Sequence, residues 1–224
     1  MTAPAVAWQR LRPRPETAAV FVALCVAEAA ALAAFLVVMP VSVTAPRYFL
    51  YPFVWLNVAV LAVWRTDAGP AGTRRRLLAA GIGLAYFLVL AWVSGLVATA
   101  HHATGVTIHW SLPPGWGPLV VAGIGPLRIA PTPYQAAGYL ALAYLVYATV
   151  LDAAASPTGI IAGAFSCVSC TLPVFAAVVS SLAGGAVAIG TATAWSYDLS
   201  TAVFLLAVAL LVWRPDAAAI GRLR

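Results

Sequence analysis

Long apolar segments alternate with shorter polar or proline-rich stretches along almost the whole chain. A transmembrane α-helix needs about 20 predominantly apolar residues to cross roughly 30 Å of hydrocarbon. The apolar segments predict such helices over residues 17–39, 48–64, 77–98, 134–151, 158–182 and 198–213. We therefore expect an all-α membrane protein, in which residues 1–224 form a single domain. That domain is predicted to be a polytopic bundle of about six transmembrane helices.

The composition excludes a soluble enzyme with a large apolar core. Of the 224 residues, 63% are hydrophobic and 8% are charged, whereas a soluble domain carries roughly a quarter charged residues. These charged residues are too few to cover a surface that faces water. The sequence contains no phosphate-binding glycine loop, no His-Glu-x-x-His and no Gly-x-Ser-x-Gly motif. An ATPase or zinc-protease activity therefore has no support. Whether the protein is an enzyme is left open, and a role without enzymatic activity is favoured.

The basic residues predict the orientation of the chain. All twelve are arginines, and nearly all of them flank the ends of apolar segments. Basic residues collect on the cytoplasmic side of membrane proteins. If the N-terminus is cytoplasmic, ten of the twelve arginines fall inside and only Arg47 and Arg128 fall outside. We therefore predict cytoplasmic N- and C-termini in the cell (plasma) membrane, with the lipid bilayer and not nucleic acid as the partner of these charges.

A cysteine pair lies near the middle of the fifth predicted helix. Cys167 and Cys170 are three residues apart, so they share one face of a helix. Pro173 is expected to kink or break the helix beside them, because proline cannot donate the backbone hydrogen bond. Thiolates are redox nucleophiles and ligands of soft metals. Redox or soft-metal chemistry is one hypothesis, and simple packing of two small apolar side chains is the other. A re-entrant segment within residues 157–197 is left open.

An acidic residue lies close to the centre of the first predicted helix. Glu28 is flanked by alanines, and an ionisable residue at this depth is costly and commonly faces the bundle interior. Cys25 lies on the same helix face, three residues earlier. Asn57 in the second helix is a candidate hydrogen-bond partner. We predict an intramembrane proton or polar site formed by Glu28, Cys25 and Asn57, with ordinary interhelical hydrogen bonding as the alternative.

Residues 101–133 are predicted to form an outer loop that is rich in proline, glycine and tryptophan. Neutral imidazole is a common metal ligand, so His101, His102 and His109 are candidate ligands. Their spacing matches no standard motif, and a rigid cap built from tryptophans and prolines is the favoured interpretation.

Two further local structures are predicted from short patterns. The apolar runs 119–122 and 127–130 flank a Gly-Ile-Gly-Pro stretch, which is typical of a small β-hairpin. Asp198 lies where the sixth predicted helix begins. We expect it to be an N-cap or first-turn carboxylate, because the N-terminus of a helix favours negative charge.

Two resemblances to known families add to this picture. The stretch Phe165–Gly185, with its paired cysteines, Thr-Leu-Pro and terminal Ser-Leu-Ala-Gly-Gly, resembles the cysteine helix of the thiol-electron transporters of cytochrome c biogenesis. That resemblance implies transfer of redox equivalents at Cys167 and Cys170. The whole chain is similar to an uncharacterised group of haloarchaeal multi-pass membrane proteins, through Phe165–Thr171, Ser196–Thr201 and Pro113–Pro118. This second resemblance implies a membrane fold and no particular activity.

Three functions are compatible with these features. In the first, Cys167 and Cys170 handle thiol redox equivalents or a soft metal, and Glu28 moves the coupled proton. In the second, the protein is a transporter or a membrane subunit of a transport complex, with Glu28 in its path. In the third, it is a structural or assembly protein that binds another membrane protein or forms a homodimer. No substrate or cofactor is predicted.

Overall fold

Helices and short strands make up the part of the chain that the computed structural model describes, residues 15–39, 46–100, 104–153 and 192–212. The helices are α1 (Pro15–Val38), α2 (Arg47–Arg65), α3 (Thr73–Val93), α4 (Pro133–Ala153) and α5 (Ala192–Val212). The strands are β1 (Val97–Thr99), β2 (Gly105–His109), β3 (Leu119–Ile124) and β4 (Leu127–Ile129). The predicted helix over residues 158–182 lies outside these described residues.

Four of the described helices are long and apolar enough to cross a membrane. These segments are Ala18–Val38, Arg47–Arg65, Thr73–Val93 and Pro133–Asp152, and Tyr197–Val212 is a shorter apolar helix. Large apolar side chains cover their outward faces, and Val37, Leu77 and Leu140 are each more than half exposed. Soluble monomers rarely expose large contiguous apolar patches. The lengths and the exposed faces therefore fit a membrane protein.

Helix α4 lies at the centre of the described bundle and packs against α2, α3 and α5. Its residues Leu142 and Leu145 are fully buried. Two glycines allow the close approach of neighbouring helices. A Cβ atom on Gly83 of α3 would lie 3.0 Å from a backbone carbonyl oxygen of α4, and one on Gly138 of α4 would lie 2.5 Å from the Trp55 ring of α2. Among the described elements, α1 makes its main contact with α2.

The segment between α3 and α4 forms a four-stranded antiparallel sheet in the order β1-β4-β3-β2. Gly125 and Pro126 connect β3 to β4, with Ile124 opposite Leu127. Gly125 has a φ of 61°, which glycine adopts without steric cost. The predicted hairpin is confirmed. The expectation of an all-α protein is wrong here, because short runs rich in valine and isoleucine between glycine and proline favour strands over helix.

Two helix boundaries differ from the prediction. Helix α3 ends at Val93, and Gly95 follows with a φ of 80°, a common way for a helix to stop. Residues 97 and 98, predicted as the end of this helix, instead belong to β1 and pair with β4. Helix α5 begins at Ala192, so Asp198 lies in its second turn. The expectation that Asp198 is an N-cap or first-turn carboxylate is therefore wrong.

The described bundle has two ends that differ in composition. At the sheet end, which carries the four strands, Trp116 Nε1 donates a hydrogen bond to the Tyr48 carbonyl oxygen at 2.8 Å. At the arginine end, arginines precede and follow the loop 66–72, and the Tyr144 hydroxyl donates to the Thr66 carbonyl oxygen at 2.9 Å. Helix α4 therefore runs from the sheet end to the arginine end. Helix α5 starts at the sheet end, where its second turn forms an ion pair with the start of α2.

Candidate functional site

A polar cluster lies between the middles of α1 and α2. The Asn57 side chain donates a hydrogen bond from Nδ2 to Glu28 Oε2 at 2.5 Å. The same nitrogen donates to the Phe53 carbonyl oxygen, one turn earlier, at 2.9 Å. The Cys25 thiol lies beside the other side of the amide, with its Sγ 3.9 Å from Asn57 Oδ1. Asn57 therefore connects both acidic and thiol members of the predicted intramembrane site.

We call Cys25, Glu28 and Asn57 the mid-membrane cluster. It is far from both ends of its two helices. Glu28 lies ten residues from each end of the apolar segment Ala18–Val38. A helix rises about 1.5 Å per residue, so about 15 Å of helix separates Glu28 from each end. Asn57 is similarly placed within Arg47–Arg65. If these two helices span the bilayer, the carboxyl and the amide lie near its midplane, where water is scarce.

Glu28 belongs to the stripe through which α1 contacts the bundle. Most described side chains of α1 are exposed, and the partly covered ones recur at intervals of three or four residues: Ala18, Phe21, Leu24, Glu28, Leu32 and Phe35. This spacing keeps side chains on one face of a helix. The Glu28 carboxyl is the polar member in the middle of an otherwise apolar stripe. Glu28, the acidic residue of the segment Ala18–Val38, therefore lies on the face of α1 that contacts α2.

A second polar cluster, the sheet-end cluster, links α2 to α5. Arg47 Nη1 lies 3.2 Å from Asp198 Oδ2 in an ion pair, and the Tyr51 hydroxyl donates to Asp198 Oδ1 at 2.8 Å. Both carboxylate oxygens therefore have a partner. Arg47 and Tyr51 are one helical turn apart, so their side chains reach the same neighbour. The Arg47 and Asp198 side chains are 38% and 35% exposed, so the charges are partly screened.

Aromatic rings cover the sheet-end cluster. The Tyr197 ring stacks on Tyr48 with a centroid distance of 5.4 Å and on Trp116 at 5.8 Å. Tyr51 also contacts Tyr197, at 5.2 Å, and Trp116 meets Tyr134 edge-on at 5.0 Å. Trp116 comes from the proline-rich segment between β2 and β3 and contacts residues of α2, α4 and α5. Trp116 therefore covers the sheet-end cluster, and the rigid cap of tryptophans and prolines stays a prediction.

The aromatic packing continues one turn deeper into the bundle. Trp55 of α2 stacks on Phe204 of α5 with ring centroids 3.9 Å apart and an interplanar angle of 5°. Its indole nitrogen donates to Thr201 Oγ1 at 3.2 Å. Trp55 and Phe204 are 2% and 1% exposed. The sheet-end cluster therefore rests on a fully buried aromatic layer.

Several predicted site residues are not part of these clusters. The following lie outside the described residues: Cys167, Cys170, Pro173, His101 and His102. The redox and metal hypotheses for them remain predictions. His109 is the last residue of β2, is exposed and lies opposite Leu119. Within the described part of the chain, no group of three or more histidine, cysteine, aspartate or glutamate side chains could hold a metal ion.

The ion pair between Arg47 and Asp198 is not evident from sequence patterns, because 151 residues separate the two partners. One signal does point to it. Arg47 is one of two arginines on the predicted outer side, and Asp198 is an acidic residue near the same end of a predicted helix. Opposite charges at the same depth of a bundle are natural partners. Tyr51 carries no such signal, because tyrosines are common at the ends of membrane helices.

These observations define a mostly helical protein with four helices compatible with membrane spans and a small antiparallel sheet at one end. The chain belongs to DUF7546, a family of unknown function, whose model matches residues 1–218. No curated protein gives a significant match to the chain. No solved structure gives one either.

Proposed function

We propose that the protein crosses the cell membrane six times with both termini in the cytoplasm. Two observations support this topology. The end of α4 and the start of α5 lie at opposite ends of the bundle, and a further crossing over residues 158–182 would connect them. The arginine end is then cytoplasmic, in line with the excess of basic residues on that side of membranes. The sheet lies on the outer side.

We further propose that the protein is a proton-linked transporter, or the proton-carrying subunit of a transport complex, and that Glu28 carries the proton. The observation that supports this most strongly is the hydrogen bond from Asn57 Nδ2 to Glu28 Oε2 at mid-helix. Ionisable side chains within membrane helices are costly and mark ion or proton pathways. Asn57 would orient the carboxyl group toward the interior of the bundle, and proton binding and release at Glu28 would accompany transport.

The chemistry of the pair favours a proton carrier over a helix-to-helix contact. Asn57 already donates to the Phe53 carbonyl oxygen, so its amide is held in place without Glu28. An uncharged side chain such as glutamine would satisfy the same amide at a lower cost of burial, since burying an ionisable group is expensive. A carboxyl group adds one property that glutamine lacks, which is the capacity to bind and release a proton.

The test is proton flux through purified protein in vesicles. The full-length chain is reconstituted with a pH-sensitive dye trapped inside, and a potassium diffusion potential drives proton entry. We expect flux above that of protein-free vesicles for the wild type and for Glu28→Asp, which keeps a carboxyl group. Glu28→Gln should reduce the flux to the protein-free level while eluting as the same monodisperse species. Flux that exceeds the protein-free level and is equal in wild type and Glu28→Gln would rule out this role.

A thiol-redox or soft-metal function of Cys167 and Cys170 is the second candidate. It is favoured by the position of Cys25, whose thiol adjoins the Glu28–Asn57 pair, so a thiol and a proton-binding group are neighbours. This function predicts that Cys167→Ser and Cys170→Ser abolish activity or metal content. The transporter function predicts that both substitutions leave proton flux intact. The two sets of variants therefore separate the candidates.

A further inference from the structure

One face of the four-stranded sheet is mostly apolar. Side chains alternate between the two faces along a strand, and residues directly opposite one another on neighbouring strands share a face. The pairings Val106–Ala122, Ile108–Val120, Ile124–Leu127 and Ala122–Ile129 therefore belong to one face. We call it the apolar sheet face, and Thr99 is its polar member; it is formed by Val97, Thr99, Val106, Ile108, Val120, Ala122, Ile124, Leu127 and Ile129. The other face carries the polar residues Thr107, His109 and Arg128 together with Leu119 and Val121.

The apolar sheet face is largely uncovered. Val106 and Ile124 are both 66% exposed, and Ile108 is 48% exposed. Trp110, directly after β2, is 72% exposed. The exception is the β1 edge of this face, where Val97 packs against the buried core of the bundle. An exposed apolar surface of this kind marks a site of interaction with another apolar surface.

The connections of the sheet indicate which surface that is. Strand β1 starts at Val97, shortly after α3 ends at Val93, and β4 ends at Ile129, shortly before α4 starts at Pro133. The sheet is therefore tied to the ends of two membrane-length helices. At the end of α3, Trp92 is 52% exposed.

The chemistry of the sheet fits the boundary between lipid headgroups and acyl chains. Tryptophan is enriched at that boundary, because its ring is apolar and its N–H is polar. Trp92 and Trp110 are two exposed tryptophans on this side of the protein. The sheet has two open edges, β1 and β2. Unpaired backbone groups cannot enter hydrocarbon, but at the boundary water and headgroups satisfy them. Arg128 on the opposite face would point away from the acyl chains.

We infer that the apolar sheet face lies on the bilayer itself, in the boundary between headgroups and acyl chains on the sheet side of the membrane. The sheet then acts as an amphipathic plate that fixes the depth and tilt of α3 and α4. Amphipathic helices at this boundary are buried by about 5–10 Å, and a similar depth is expected for this face. This inference goes beyond proton transport and does not depend on Glu28.

The test compares neighbouring residues of opposite faces in the full-length chain. Single cysteines are placed at Ile108→Cys and Ile124→Cys on the apolar sheet face, and at Thr107→Cys and Arg128→Cys on the other face. The native cysteines are replaced by serine (Cys25→Ser, Cys167→Ser, Cys170→Ser). Each site is labelled with a polarity-sensitive nitrobenzoxadiazole fluorophore in phosphatidylcholine vesicles. The quenchers are iodide in the water and phosphatidylcholine with a nitroxide near the top of its acyl chain.

We expect lipid nitroxide to quench the labels at positions 108 and 124 at least about twofold more strongly than those at 107 and 128. Iodide should show the reverse order. Equal quenching of the two faces by either agent would overturn the inference. Protection of positions 108 and 124 from both quenchers would also overturn it, because a protein surface, such as a second copy of the chain, would then cover the face.

A second measurement keeps the inference testable if the cysteine-free chain does not fold. Wild-type protein and Trp110→Phe are compared in vesicles that contain phospholipid brominated along its acyl chains, a quencher of tryptophan. The difference in fluorescence between wild type and Trp110→Phe is the emission of Trp110. The inference predicts that brominated lipid quenches this emission. If that emission is quenched by iodide and not by brominated lipid, Trp110 faces water and the inference is wrong.

Discussion

The mid-membrane cluster and the sheet-end cluster both use α2, but they attach its neighbours in different ways. Around Asn57, α1 is held by a hydrogen bond to Glu28 within a narrow apolar stripe and by a long contact from the Cys25 thiol. Around Arg47 and Tyr51, α5 is held by an ion pair, a tyrosine hydrogen bond and stacked aromatic rings. No part of the α1 apolar segment is buried, whereas the aromatic layer below the sheet-end cluster is almost inaccessible.

This difference matches a structural role for the sheet-end cluster and the proton-carrying role that we propose for Glu28. Between helices in lipid, close packing and hydrogen bonds stabilise association, because the surrounding lipid is as apolar as the side chains. The sheet-end cluster combines both contributions and fits an anchor for α5. The Glu28–Asn57 pair gains little from packing, yet it keeps an ionisable group at mid-membrane. The proton transfer that we propose would account for this ionisable group.

The largest expected effect on stability comes from the packing of α4 on the buried aromatic layer. In Gly138→Ala, the new Cβ atom would lie 2.5 Å from the Trp55 ring and 3.2 Å from the Phe204 ring, and the stacking of these two rings restricts their movement. We expect the free energy of unfolding to fall by about 1–3 kcal/mol, as for other overpacked cores. The measurement is unfolding of the purified protein by dodecyl sulfate in mixed micelles.

Gly81→Ala is the matched control for that experiment. Gly81 also lies within a helix, but among the described residues an added Cβ there would have no neighbour within 4 Å beyond the backbone of its own helix and the adjacent residues. Alanine has a higher helix propensity than glycine, so this variant should be as stable as the wild type or slightly more stable. Equal losses of stability in Gly81→Ala and Gly138→Ala would show that the close contact with Trp55 is not the reason why alanine is unfavourable at residue 138.

A smaller effect is expected from the ion pair of the sheet-end cluster. A double-mutant cycle with Arg47→Ala and Asp198→Ala should give a coupling energy of about 0.5–1 kcal/mol at low salt, because the pair is partly exposed. The coupling should decrease as salt is raised, since mobile ions screen exposed charges. The same cycle with Arg74→Ala in place of Arg47→Ala should be additive. A coupling of zero at low salt would contradict the anchoring role of this ion pair.

The smallest effect on stability is expected from the mid-membrane cluster. Asn57→Ala removes the hydrogen bond to Glu28, and such bonds between membrane helices contribute about 0.6 kcal/mol on average. Dodecyl sulfate unfolding should therefore detect only a slight loss, while proton flux in vesicles should fall clearly. A loss of stability larger than that of Gly138→Ala, with unchanged flux, would make Asn57 a structural residue and would reverse the comparison of the two clusters.

Much of the fold follows from local sequence patterns. The apolar segments locate the described helices, and the glycine-proline turn locates the β3–β4 hairpin. The pairing of Glu28 with Asn57 is expected as well, because polar side chains are rare in both apolar segments and lie at the same depth. The end of α3 is harder to predict. Residues 97 and 98 are apolar like the helix before them, and only Ser94 and Gly95 signal the stop.

The sheet-end cluster is difficult to predict from sequence, because it is formed by residues that are distant from one another along the chain. Hydropathy places Asp198 at a helix start, because the residues before it are polar and aromatic. In the structure the helix begins at Ala192, and Asp198 binds side chains that lie about 150 residues earlier. No local pattern encodes such a partner. Trp116 likewise contacts a residue that is distant in sequence, Tyr197. That contact depends on the tertiary arrangement of the segment between β2 and β3, which no local pattern specifies.

The most direct test of the mid-membrane site is a disulfide bond between α1 and α2. The Cys25 Sγ atom lies 3.9 Å from Asn57 Oδ1, so in Asn57→Cys the two thiols are within reach of each other. Leu56→Cys is the control, because Leu56 packs toward the buried core. After mild oxidation in native membranes, peptide mapping by mass spectrometry should find Cys25 linked to residue 57 and not to residue 56. If neither variant forms the bond, or both form it equally, Glu28 does not face Asn57 and the proposed site is wrong.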